Sequence, residues 1–492
     1  MAEGWQWSKV KQDDPLVAGV LADVAAIEQV RESLRPSFGL ALGGWQLGPY
    51  DNRSYFDARL PADWPMASLD PYQGGVNCAP APACGAPDPG FFSVTHRAQR
   101  WSHPWAEDDQ DLTAMQLWVG RNLQHAAEAL ALGVTGLMSL QWRTRTVAPQ
   151  LTAVADFAFN ASLDGPSFWR GYAQALFGPS IADAAAEILI SVDSYALPRP
   201  VNCDPGCLQP SAAACTWATE YSFVDAWLAL NTTLLRALAA AAEPGGDCET
   251  ALADAANFER FEWFSANFLY MRGMRRAECD WFAFNGVLAS LQAMEPGPAR
   301  EAAAVARGFP ALASLAANLT RMVYDQVATI STYGELAVTT QVLSSVDSAM
   351  SGAAQLAALA GGVPLPQNCS LARTWDASRS PLLRVLTART ILLAGEPFNL
   401  RALVVDGAAA DGAAVAVSAF TRPAGSRGAF SETPLLQAPP SGGVARSVYA
   451  ASLPAPAHDT EWFLQATRGE EWVLFFPPDA PALPATVVIL ET

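Results

Sequence analysis

The sequence predicts a mixed chain: α/β at its N-terminal end, all-α in its middle and all-β at its C-terminal end. Three observations carry this. Over residues 1–155, short apolar runs closed by Gly and aromatic loops alternate with stretches of helical period. Over 156–382, Ala and Leu recur three or four residues apart, with Pro and Gly at the joints. Over 383–492, short β-branched or aromatic runs are separated by Gly, Pro and Asp. With 492 residues, 51% of them hydrophobic, the chain can bury several cores.

In the first segment, AEGWQW reads as a strand end. A helix follows from about Asp14 to Leu34, where Leu16, Val17, Val20, Leu21, Val24, Ile27 and Val30 keep helical spacing. Strands are expected at Phe38–Leu42, closed by Gly43-Gly44, and then at Trp64–Leu69, Gln99–Trp105 and Thr135–Trp142, with a helix over Leu117–Leu132 between the last two. Uninterrupted apolar runs of this length suit parallel strands buried on both faces. The middle segment predicts helices at Phe168–Leu176, Ile181–Val192, Tyr221–Ala242, Ala251–Met274, Cys279–Met294, Ala299–Asp325 and Glu335–Leu359. The last predicts strands at Leu403–Val405, Ala414–Ala419, Val444–Leu453, Glu461–Ala466, Trp472–Phe476 and Ala485–Leu490, a β-sandwich of immunoglobulin-like size.

Forty-eight acidic residues face 30 basic ones, only Lys9 and Lys11 among them lysine, so the net charge is −18. A phosphate backbone needs a basic face, which argues against nucleic acid as partner. No uninterrupted apolar run reaches the roughly 18 residues of a membrane span. The eight cysteines lie mostly in loop-like contexts, as in NCAPAPAC and NCDPGCLQPSAAAC, without zinc-ligand spacing, so disulfides are the stronger reading and no metal or cofactor is expected. Five sequons, at Asn52, Asn160, Asn231, Asn318 and Asn368, use five of twelve asparagines. Together these predict a secreted or lysosome-like, vesicular location. The opening MAEGWQWSKVKQDD lacks the basic and apolar regions of a signal peptide, which is reconciled by a chain that begins partway through a larger unit.

The chemistry concentrates in RWSHPWAEDDQDLTAMQ (Arg100–Gln116) and GVTGLMSLQWRTR (Gly133–Arg145). Strand, acidic loop, helix, strand is one βα unit of a parallel α/β barrel, where reacting groups gather at the C-terminal ends of strands. The EDD triplet reads equally as a solvated helix N-terminus and as a strand-end carboxylate, Glu107, whose acidic neighbours would raise its pKa. Glycosidases need two carboxylates, and Glu3, beside Trp5 and Trp7, is the other at a strand end. Arg143 is read as a ligand contact and Arg145 as a salt-bridge partner of the acidic loop. His96, His103 and His125 show no metal-ligand spacing, and neither a nucleophile elbow nor a phosphate-binding glycine loop is present. RFEWFSANFLYMRGMRR (Arg260–Arg276) packs a core, with Glu259, Glu262 and Arg272 beside it as further candidates to face the site.

The pieces AEGWQWSKV, GWQLGPYDNRSYFD, RWSHPWAEDDQDLTAMQLWVGR, GLMSLQWRTR, FWRGYAQALFGPS and RFEWFSANFLYMRGMRR resemble the C-terminal half of a TIM-barrel glycoside hydrolase of clan A type with a trailing helical domain, over about residues 1–290. The resemblance implies a partial (β/α)8 barrel of about four βα units in 1–155, a helical domain in 156–382 and a C-terminal β-sandwich in 383–492, with the N-terminal half of the barrel missing. It implies Glu107 as nucleophile or base and Glu3 as acid, although Ala2 stands where the clan usually has Asn. Trp45, Trp101, Trp105 and Trp142 would stack on sugar faces, and Asp51, Asp108 and Arg143 would bind hydroxyls of an oligosaccharide or polysaccharide. The rival expectation is a non-catalytic carbohydrate-binding or cell-surface scaffold protein with a degenerate barrel.

Overall fold

A computed structural model describes residues 15–45, 55–69, 94–104, 106–107, 114–131, 133–139, 141, 145–193, 210–212, 214–216, 221–241, 248–332, 334–371, 381–406, 415–438, 446–478 and 480–491. The fold is mixed α/β, with several sheets and no closed barrel among the described residues. The chain divides into two compact units, Met1–Tyr172 with Ala186–Asn202, and Ala173–Ala185 with Cys203–Thr492.

The first unit holds helix α1 (Pro15–Leu34) and strands β1 (Leu42–Trp45), β2 (Met66–Leu69) and β3 (Arg100–His103), then helix α2 (Val119–Ala131), strand β4 (Gly136–Leu137) and helix α3 (Ala148–Phe159). The four strands are all parallel and pair in the order β1-β2-β3-β4. Each new strand therefore adds beside its predecessor, without the reversal that marks a doubly wound sheet. The helix α1 packs through Val17 and Val24 into a core with Phe56, Leu60, Trp64, Met66, Val94 and Val134. Its Ile27, Val30 and Leu34, apolar and in phase, stay exposed. Trp64 Nε1 donates to Glu28 Oε2 at 3.1 Å, tying α1 to the segment that leads into β2.

The first strand lies later than the apolar run predicts. Phe38 is exposed, and the strand is Leu42–Trp45, including both glycines. Its position follows its partner, Leu42 opposite Met66 and Trp45 opposite Leu69, because strand formation answers to pairing more than to local propensity. A buried ion pair holds the segments before β2 and β3 together: Arg97 Nε donates to Asp57 Oδ1 at 2.7 Å, and Asp57 Oδ2 accepts the N–H groups of Thr95 and His96 at 2.7 and 2.8 Å. Arg97 also donates to the carbonyls of Trp64, Pro61 and Asp57, so its guanidinium is satisfied by fixed partners, as a fully buried charge requires.

Helices α4 (Gly165–Phe177) and α5 (Ala182–Val192) contribute residues to both units. The second unit continues with α6 (Phe223–Ala241), α7 (Cys248–Gln292), α8 (Pro298–Ala303), a π turn at Ala304–Gly308, α9 (Phe309–Ala328), α10 (Glu335–Met350) and α11 (Gly352–Leu359). The sequence predicts two helices where α7 is one of 45 residues. Where the two expected helices would part, Arg275 and Glu278 pair at 2.6 Å with both side chains buried, and the helix runs through. Trp227 of α6 stacks on Phe261 of α7 at 5.1 Å and 10°, with Phe264, Phe268 and Phe177 edge-on or tilted around it. Gly273 lets α7 pass close to α9; a Cβ there would stand 3.3 Å from that of Met322.

A disulfide joins Cys215 to Cys279 across 64 residues, whereas Cys369 is a buried free thiol that donates to the Phe309 carbonyl. Of the sequons, Asn160 and Asn368 are exposed, Asn318 lies within α9 and donates to Asp280 Oδ2 at 2.6 Å, and Asn231 is half-buried within α6. Among the described residues one helical stretch, Pro298–Ala328, meets the length and composition of a membrane span. Its Leu312, Leu315, Leu319 and Met322 are buried, and α9 packs along α7.

Two sheets complete the unit. One is antiparallel, in the order β10 (Leu436–Gln437), β11 (Arg446–Leu453), β7 (Phe398–Val405), β5 (Leu382–Val385). The other runs β6 (Ile391–Leu393), β14 (Ala485–Leu490), β12 (Thr460–Arg468), β8 (Ala416–Pro423), β9 (Ser431–Pro434), with β13 (Trp472–Phe476) also on β12. Alternate residues of facing strands fill one core, Phe398, Leu400, Ala402 and Val404 of β7 with Trp462, Leu464 and Ala466 of β12.

Candidate functional site

The C-terminal ends of the parallel strands lie level, because the register sets Trp45 beside Leu69 and Leu69 beside His103. Successive residues of β3 then leave the sheet on opposite faces. Ser102 Oγ lies 2.7 Å from Nε2 of His125 on α2, so Ser102 faces the helix. Trp101 and His103 accordingly share the other face. His103 is 4% exposed, and its buried Nε2 has no hydrogen-bond partner. Burial first, and the neighbouring His125 second, push its pKa down to about 4, so the ring is neutral at pH 7.

Glu107 follows β3 by four residues and is fully buried, as is Ala106 before it. The loop is held from α3: Gln150 Nε2 donates to the Ala106 carbonyl at 3.2 Å and to the Gln116 carbonyl. One buried amide thus fastens both sides of the acidic segment. Trp101 has a packing partner of its own, since a Cβ on Gly136 would fall 2.7 Å from its Cδ1. Glycine at 136 is what lets β4 lie against the indole.

The start of α2 is capped from a distance. Asp193, just past the end of α5, accepts the Gly120 N–H at 2.8 Å and the Trp169 indole N–H at 2.8 Å, both on Oδ2. Its buried Oδ1 has no hydrogen-bond partner. Burial raises the carboxyl to about 7, against the lowering effect of the Trp169, Gly120 and Val119 hydrogen bonds.

Of the residues that the sequence singles out, the structure places Trp45 at the C-terminal end of β1, Glu107 just beyond that of β3, and Trp101 in the first half of β3. Glu3, Asp51, Trp105, Asp108, Trp142 and Arg143 lie outside the described residues, and the side chain of Trp45 does too. The sequence passed over His103, Gln150 and Asp193. Alternation along β3 could have placed His103 opposite Ser102. Nothing local marks Asp193, whose capped amide is 73 residues away. Among the described residues no three His, Cys, Asp or Glu side chains gather as a metal site. No family model matches the sequence, and no curated protein matches it significantly.

Proposed function

We propose that the chain is a glycoside hydrolase acting on an oligosaccharide or polysaccharide. In this reading the first unit is a partial (β/α)8 barrel of about four βα units, and the second carries a helical domain and an immunoglobulin-like sandwich. The observation that supports it is the placement of Glu107: a carboxylate just past the C-terminal end of a strand, in a parallel sheet that adds strands in one direction. In barrels of that winding, catalytic groups occupy strand ends. Glu107 serves as nucleophile or base and Glu3 as acid, splitting the work as two carboxylates do in glycosidases. Trp45, Trp101, Trp105 and Trp142 offer stacking faces, while Asp51, Asp108 and Arg143 bind hydroxyls. The Cys215–Cys279 disulfide and the exposed sequons at Asn160 and Asn368 support a secretory or vesicular compartment.

The test is hydrolysis of a panel of aryl glycosides and oligosaccharides by the purified chain and by Glu107→Gln. Loss of turnover in the variant, with unchanged circular dichroism, supports the reading; an unchanged rate removes Glu107 from it. One observation favours a second reading, a non-catalytic carbohydrate-binding or cell-surface scaffold protein. Glu107 has no exposed surface, and a carboxylate so enclosed cannot reach a sugar in this conformation. Glycan binding without hydrolysis by the wild-type chain is the result that this second reading expects.

A further inference from the structure

Asn160 stands just past the C-terminal end of α3, where the backbone leaves the helix with φ −139° and ψ 88°. Its N–H still bonds the Asp156 carbonyl at 2.9 Å, so the residue is anchored, while residues 158–162 are all exposed. The side-chain oxygen of Asn160 accepts two hydrogen bonds from Ser162, from the hydroxyl at 2.7 Å and from the backbone N–H at 3.2 Å. A backbone N–H only donates, so the atom that faces it is the amide oxygen, and the amide nitrogen takes the other, outward side. Among the described residues that nitrogen has no hydrogen-bond partner. Asn160-Ala161-Ser162 is also the acceptor pattern for an N-linked glycan, Asn two residues before a hydroxyl with no proline between.

The other described sequons lack this arrangement. Residues two apart on a helix do not face each other, so within α6 and α9 the hydroxyls of Thr233 and Thr320 are turned away from Asn231 and Asn318. Thr320 donates to the Ala316 carbonyl at 2.8 Å instead, and Asn318 Nδ2 is engaged by Asp280 of α7 at 2.6 Å. At Asn368 the Ser370 hydroxyl is spent on the Gln367 carbonyl at 2.6 Å, and the intervening Cys369 is buried. Asn52 lies outside the described residues.

A second feature sits beside Asn160. Phe159 is 94% exposed, more than any other large apolar side chain among the described residues. Covering its ring with the apolar face of a sugar would take that area out of water, which is favourable in proportion to the area covered.

We propose that Asn160 carries an N-linked glycan whose first sugar covers the Phe159 ring. The proposal rests on the secretory or vesicular compartment inferred above. The donor is an oligosaccharide held on a lipid diphosphate. A bond forms between Asn160 Nδ2 and C1 of the reducing-end sugar, and the C1–O bond to the diphosphate breaks. The lipid diphosphate leaves with that electron pair, and the amide nitrogen gives up one of its two protons. Ser162 positions the amide, with the oxygen held and the nitrogen presented.

The test is peptide mass spectrometry on the full chain, directed into the secretory pathway of a eukaryotic host by an added signal sequence. The expected result is a glycan on the Asn160 peptide, lost in Asn160→Gln and in Ser162→Ala and kept in Ser162→Thr. Enzymatic removal of the glycan from the folded protein should lower the melting temperature, and Phe159→Ala should keep the glycan but abolish that shift. A sugar-free Asn160 in secreted protein with native circular dichroism would overturn the proposal. A glycan that persists in Ser162→Ala would do the same, as would equal melting shifts for wild type and Phe159→Ala. Sugar on Asn368 but not on Asn160 would overturn it while leaving the compartment reading intact. Turnover of aryl glycosides by Asn160→Gln should match that of wild type, so this proposal and the hydrolase reading fail separately.

Discussion

Asp193 Oδ2 accepts the backbone N–H of Gly120 at 2.8 Å, so a carboxylate at the end of one helix caps the start of another 73 residues earlier in the chain. The same oxygen accepts a hydrogen bond from the Trp169 indole N–H, and together these contacts fix α2, the helix whose His125 meets Ser102 on β3. The dipole at a helix N-terminus favours the anionic form of this carboxyl, yet burial outweighs it and lifts the pKa to about 7. His103 is shifted the opposite way, to about 4.

These two groups oppose each other in the pH dependence of stability. Between pH 4 and 7 native Asp193 holds a proton that the unfolded chain has released, so raising the pH destabilises, by about 4 kcal/mol across the window. Between pH 4 and 6.5 the unfolded chain protonates His103 and the native state does not, so raising the pH stabilises, by about 3 kcal/mol. Their joint contribution over pH 4–7 is therefore nearly flat. Asp193→Asn, which keeps an acceptor for Gly120 and Trp169, should make urea stability rise with pH between 5 and 7 relative to wild type; His103→Asn should make it fall. Parallel profiles for all three proteins would refute the opposition.

Gln150 should be required for the geometry of the Glu107 loop. Gln150→Ala leaves the carbonyls of Ala106 and Gln116 without this donor inside the protein, at about 1–3 kcal/mol each. Under the hydrolase reading, turnover should fall while circular dichroism stays native. Gln150→Glu, isosteric but without the donor, should behave like the alanine variant, and activity matching wild type in both would show that the clamp does not position Glu107.

The Cys215–Cys279 bond closes 64 residues around α6 and much of α7. Chain-entropy estimates assign such a loop about 4 kcal/mol. Reduction, or Cys215→Ser with Cys279→Ser, should lower the melting temperature measured by calorimetry. An unchanged midpoint would mean that the aromatic packing around Trp227 already holds the segment.

Gly136→Ala places a methyl against Trp101, whose Cδ1 would be 2.7 Å away. Overpacking of this kind costs roughly 1–3 kcal/mol, and here it should also tilt the indole. A shift in tryptophan fluorescence together with the stability loss is expected. A second variant, Gly136→Ala with Trp101→Phe, should recover much of the stability, because the smaller ring leaves room for the methyl.

Hydrophobic patterning in the sequence was enough to mark the strand Trp472–Phe476, the helix ending at Leu34 and the aromatic helix around Phe264, all of which the structure contains. Periodicity reads such elements because a buried face repeats along the chain. What it could not read were contacts made across long separations. The first strand moved to Leu42–Trp45 because pairing with Met66–Leu69 decides where a strand runs. The helix α7 runs on as one where two were expected, and there Arg275 and Glu278 pair inside the core. At the candidate site, residue type alone pointed to Glu107 and Trp101. The Gln150 clamp, the empty nitrogen of His103 and the Asp193 cap came only from tertiary structure, since burial and hydrogen bonding belong to the neighbourhood that folding assembles and not to the residue itself.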